Sequence, residues 1–173
     1  MHAHTHLPTS DALIERLLRA ELKAPSPATL RLADAQQIAA SAEKTARAMG
    51  LPVVISIADA QGEEILFHRM EGSLPASARL ATDKAWTAAA FRMSTEELGR
   101  LAQPGQMLFG LEANHGGRVV IFGGGLACWR NGTVIGAIGI SGGTADEDAV
   151  IARYALSDFS DKSGQAPVKG AEK

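Results

Sequence analysis

"GGGLACWRNGTVIGAIGISGG", residues 123–143, carries eight of the chain's 18 glycines in 21 positions. Whether these glycines cradle a phosphate or shape a sheet decides the fold. A dinucleotide fingerprint needs Gly-x-Gly-x-x-Gly between a strand and a helix. Gly123 and Gly125 begin that spacing, but position 128 is cysteine, and no Gly-Lys-Ser or Gly-Lys-Thr triplet follows. Gly142 and Gly143 do precede a helix start, where free backbone N–H groups attract anions. Asp146, Glu147 and Asp148 already complement the dipole in that helix's first turn, so a phosphate would face three carboxylates. The glycines therefore shape backbone. Asn131-Gly132 is the strongest two-residue hairpin signal, and it joins "LACWR" to "TVIGAIGIS" as neighbouring antiparallel strands. Gly136 and Gly139 fall inside the second strand, where glycine weakens pairing unless a backbone or a ligand must come close. Two readings stand open there. One is tight packing of a helix on the sheet; the other is a floor beneath a flat ligand, lined by Gly124, Gly125, Gly139 and Ser141.

Outward from this stretch, "RVVIFGGG" reads as a further strand, and Thr144 with Glu147 three residues on caps a closing helix. The polar tail from Ser160 is expected to be disordered. Upstream, residues 53–70 read as a hairpin in which Val53, Ile55 and Ile57 alternate with Val54, Ser56 and Ala58, with "DAQG" as the turn. Both of its faces are apolar, so helices or a second subunit should cover both. "PASARLATDKAWTAAAFRM" is a helix from near Pro75, and its alanines let it lie close against a sheet. Ser94 and Glu97 form a capping box for the next helix, and residues 105–118 are loop or short helix. Asp34 is expected to cap a helix that closes at Gly50. Before it, Ser10 caps an amphipathic helix with Leu13, Ile14, Leu17 and Leu18 on one face, ended by Pro25 and Pro27. Residues 1–9 read as a disordered tail whose alternating His2, His4 and His6 either hold a metal loosely or do nothing. The organisation is thus 1–33 as tail and extra helix, 34–159 as the domain, and 160–173 as tail. Tight turns between strands make the sheet mainly antiparallel, and the fold class is α+β.

Composition narrows the classes. At 173 residues the chain suits one self-sufficient domain, and 46% hydrophobic with 21% charged residues is ordinary for a globular protein. A net charge of -2 with mixed signs argues against a nucleic-acid surface. No run of about 18 uncharged apolar residues is present to span a membrane. The opening residues lack a secretory signal, and a lone Cys128 fits a reducing compartment, so the expectation is cytoplasmic.

Taken together, "VVISIADAQGEEILFHRMEG", "DKAWTAAAF", "FGGG" and "NGTVIGAIGISGGTADED" resemble the GlcG/HbpS family, which includes the C-terminal domain of PduO proteins. The resemblance covers roughly residues 34–157. It implies a profilin-like, mainly antiparallel sheet flanked by helices, assembly into homo-oligomers, and for several members binding of haem or another tetrapyrrole. Where the family often has Gly-Gly-x-Pro-[Ile/Leu], this chain has Ala127 and Cys128 at the last two positions.

Candidate chemistry rests on few residues. On a helical wheel Lys84 falls among Leu80, Thr87, Ala88 and Phe91, on a face that should be buried. There it is either an acid–base or imine-forming catalyst with a lowered pKa, or one half of an ion pair with Asp148 or Glu147. Arg69 and Arg118 suit bidentate recognition of a substrate carboxylate or of propionates. His115, in the loop "EANHGGRV", is the candidate ligand for a metal or haem iron, and His68 is expected in the core or an interface. Cys128 reads as a thiolate ligand or, more plainly, as a small buried hydrophobe. The function this supports first is a cytoplasmic small-ligand binder, for haem or another tetrapyrrole. The alternative is a lyase, isomerase or hydrolase of a small carbonyl or carboxylate compound in a catabolic pathway, using Lys84 and Arg69. A third class is an assembly subunit with no ligand.

Overall fold

The structure is a computed structural model and describes residues 29–162; the expected N-terminal helix, the histidine tail and the C-terminal tail after residue 162 lie outside the described residues. Ser160, expected to open that tail, is instead buried within the closing helix, where its hydroxyl donates to the Leu156 carbonyl at 2.9 Å. Helix α1 (Leu32–Ala48) buries Ala35, Ile38, Ala39, Ala42 and Ala46, an apolar face at helical spacing. It begins earlier than its sequence suggests. Asp34 is not the cap but the third helical residue, and its carboxylate accepts from the Arg31 backbone N–H at 3.0 Å and from the Arg31 guanidinium. Gly50 closes the helix with φ of 70°, as expected.

Strands β1 (Val54–Asp59) and β2 (Glu64–Arg69) form the first hairpin. After them come α2 (Pro75–Phe91) and α3 (Thr95–Leu101), where the Ser94 hydroxyl accepts from Glu97 N–H. Two single 3₁₀ turns, Leu111–Ala113 and His115–Gly117, lead towards β3 (Gly125–Arg130), β4 (Thr133–Ser141) and α4 (Ala145–Lys162). Asn131 and Gly132 turn the β3–β4 hairpin with φ of 51° and 77°. The sheet order is β2-β1-β4-β3, antiparallel throughout. Helix α2 crosses one face, while α1 and α4 pack on each other across the opposite face. The fold is α+β, as the sequence implied.

Two strand expectations change. The hairpin is not covered on both sides along its whole length: β1 is buried, but β2 is an edge strand with Phe67 43% exposed. Residues 118–124 of "RVVIFGGG" are not a strand at all, and pairing begins only at Gly125. The Val120 N–H donates to Thr87 Oγ1 at 3.1 Å instead of to a ladder. A Cβ on Gly99 would fall on the Ile121 carbonyl, so α3 lies directly against this segment.

Helix α2 fills the space over the strand glycines. A Cβ on Gly139 would land on the Ala81 carbonyl oxygen and 2.6 Å from Ala85 N. One on Gly125 would sit 2.5 Å from the Lys84 carbonyl oxygen. These two glycines thus set the distance between helix and sheet.

Candidate functional site

Lys84 is 1% exposed, and its ammonium donates to Asp148 Oδ2 and to the Ile140 carbonyl, each at 2.8 Å. The Phe122 ring lies 5.1 Å away and the added-Cβ position of Gly124 lies 2.6 Å from Nζ. Asp148 accepts Gly143 N–H with its other oxygen at 2.9 Å. Glu147, the other named partner, is spent on Thr144, whose N–H and hydroxyl it accepts. Burial holds Lys84 below the usual lysine range against the opposing pull of Asp148. This pair ties α2, β4 and α4 together.

The remaining sequence candidates divide. Arg69 is exposed at the end of β2, where its Nε donates to Ser73 Oγ at 3.3 Å. It and the buried Ser141 both pair with Val54, one on each side, which puts their backbones about 10 Å apart from two strand spacings. Gly124, Gly125 and Gly139 are buried against protein atoms and open onto no described cleft. The structure does bring His115 and Arg118 together, on Trp86. The Arg118 guanidinium sits 4.5 Å above the indole, and the His115 ring meets it edge-on at 5.1 Å and 63°. Asp83 holds Arg118 at 3.2 Å with one carboxylate oxygen and Arg79 at 2.6 Å with the other. Two guanidinium groups on one carboxylate leave the cluster positive. The His115 backbone is left-handed, with φ of 52°, and its exposed imidazole makes no hydrogen bond among the described residues. A neutral imidazole in that state can ligate a metal.

Trp86, Asp83 and Arg79 were not singled out from the sequence. Their spacing, i, i+4 and i+7, places them on one side of α2, and that was the available signal. His68 pairs with Glu43 at 3.3 Å on a half-exposed surface. No three His, Cys, Asp or Glu side chains gather to hold a metal among the described residues. Cys128 is 1% exposed, and burial pushes its thiol up to about 12. A thiol that stays protonated is a poor nucleophile. The native protein should accordingly leave Ellman's reagent unreacted at neutral pH and yield its single thiol only in denaturant. Rapid labelling of the folded protein would contradict this burial.

Comparison with known proteins adds relatives. Residues 30–157 match the family described as haem degrading protein HbpS-like. The corrinoid adenosyltransferase PduO of Salmonella typhimurium is 45% identical over 134 residues, covering 78% of this chain but 40% of that protein. The chain therefore spans well under half the length of that relative. Klebsiella pneumoniae ORFY is similar in structure with a TM-score of 0.76 at 41% identity, covering 80% of this chain and 95% of that one. A haem complex of PduOC is similar with a TM-score of 0.72 at 45% identity, covering 74% and 93%.

Proposed function

The chain belongs to the HbpS-like family of haem-degrading proteins, and from that membership we propose that it binds haem or a closely related tetrapyrrole. The observation that carries the reading is the unpartnered His115 imidazole seated on Trp86 beside Arg118 and Arg79. The similar PduOC structure is of a haem complex, which supports the ligand class. In this reading His115 ligates the iron, and Arg118 with Arg79 meets the propionates in bidentate fashion. Met107 and Phe109, 82% and 65% exposed on the preceding loop, offer apolar surface to the macrocycle. Haem supplies an iron centre for redox or ligand chemistry; the chain's own residues bind and orient it.

A second assignment, catalysis on a small carbonyl or carboxylate compound by Lys84 and Arg69, finds less support. Its amine is enclosed while its guanidinium lies at an exposed strand edge. We also place the protein in the cytoplasm as a homo-oligomer. Support comes from the free, buried cysteine and from the exposed Phe67 and Leu74 side chains.

Hemin added to the purified protein should give a saturable Soret shift. His115→Ala should weaken it at least about tenfold, the loss of roughly 1.4 kcal/mol of binding energy. A spectrum identical to hemin in buffer would refute haem binding, and an unchanged affinity in the variant would remove His115 from the iron.

A further inference from the structure

Three segments of the chain meet at one end of the sheet and border an open cleft, with Gln61, Arg92 and Thr133 exposed at its rim. Ala60 and Gln61 come from the β1–β2 turn, Arg92 from the end of α2, and Trp129, Gly132, Thr133 and Val134 from the β3–β4 hairpin. The cleft measures about 290 Å³, at the small end of ligand pockets.

Arg92 is the unusual member. It follows the last residue of α2 with φ of 55° and ψ of 36°, a left-handed conformation that helix ends ordinarily give to glycine. The same chain follows that rule after α1, where Gly50 has φ of 70°. A non-glycine residue held in this region is strained, and strain of this kind gathers at binding sites. Attraction to the negative end of the helix explains a cation there but not the strained backbone, since a residue one turn earlier would serve equally. The Arg92 guanidinium makes no hydrogen bond or ion pair among the described residues, unlike Arg79 and Arg118, which share Asp83. The Asp59 carboxylate, at the end of β1, is engaged by the Gln61 and Glu63 N–H groups of its own turn, at 2.8 and 2.9 Å.

We propose that this cleft binds a small organic carboxylate. Arg92 takes the carboxylate through its two-pronged donor set, the Trp129 ring packs on the apolar body, and Gln61 or Thr133 supplies a further polar contact. The site is independent of the haem reading.

Benzoate is a suitable probe, with neutral benzamide as the control of equal shape. In ¹⁵N-resolved NMR titrations of the full chain, benzoate should shift the Trp129 indole N–H and the Gly132 and Thr133 amides saturably. Benzamide should leave them in place. Arg92→Gly gives the backbone the residue it favours, so the variant should melt no lower than the parent, bind hemin as the parent does, and lose the benzoate response at least tenfold. Equal shifts from benzamide, no saturable response at millimolar benzoate, or a response that survives Arg92→Gly would each overturn the proposal.

Discussion

Asp148→Ala is expected to cost about 3–5 kcal/mol of folding stability, the range found when one partner of a buried ion pair is removed. The substitution strands the Lys84 ammonium, 1% exposed, with the Ile140 carbonyl as its hydrogen-bond acceptor and the Phe122 ring beside it. It also leaves the Gly143 N–H without its acceptor. A buried pair of this kind returns little net stability, because taking two charges out of water offsets much of their attraction. Burial holds Lys84 low and pushes Asp148 up, each against the pull of its partner. A double variant, Lys84→Met with Asp148→Leu, should accordingly sit closer to wild type than either single variant. Urea unfolding of the four proteins measures this. Singles that lose less than about 1 kcal/mol would mean the pair is solvated.

Much of this architecture was legible because local chemistry and tertiary packing agree. Asn131-Gly132 specified the β3–β4 hairpin, and Thr144 with Glu147 specified the start of α4. The helical wheel placed Lys84 inside and named Asp148 among its partners. What escaped depends on contacts far apart in the chain. "VVIF" has the composition of a strand, yet a hydroxyl 33 residues away, on Thr87, takes the Val120 amide. Arg31 caps α1 only through the carboxylate of Asp34, so a residue with no capping preference of its own marks the helix start. The candidate site shows the same division. His115 and Arg118 stand out as loop residues with polar side chains, but the platform that joins them is Trp86. Its role became visible only when the 115–118 turn folded onto α2. Arg92 was hidden for another reason: its interest lies in a backbone angle, which no pattern of residue types reports.

The second large effect belongs to Gly139. Gly139→Ala should destabilise the protein by about 3 kcal/mol, the upper part of the range for overpacking a well-filled interior. The added methyl meets the Ala81 carbonyl and Ala85 N, which are helix backbone and cannot swing aside as a side-chain tip does. Relief requires α2 to lift from β4. Gly143→Ala is the matched control. There the methyl meets Glu147 Oε2 at 2.8 Å, Glu147 Cβ at 3.0 Å and Leu51 Cδ1 at 3.2 Å, all side-chain atoms, so the cost is a small shift and a loosened Thr144–Glu147 cap, about 1 kcal/mol. Denaturant unfolding of the two variants compares them directly, and equal costs would show that the helix does not rest on the strand as closely as described. Because α2 also carries Lys84, Asp83 and Trp86, lifting it moves the anchor of Arg118 and the seat of His115. Gly139→Ala should therefore weaken hemin binding without touching the ligand, whereas Gly143→Ala should leave it as it was. Hemin affinity that stays constant while stability falls would separate the Trp86 cluster from the packing of α2.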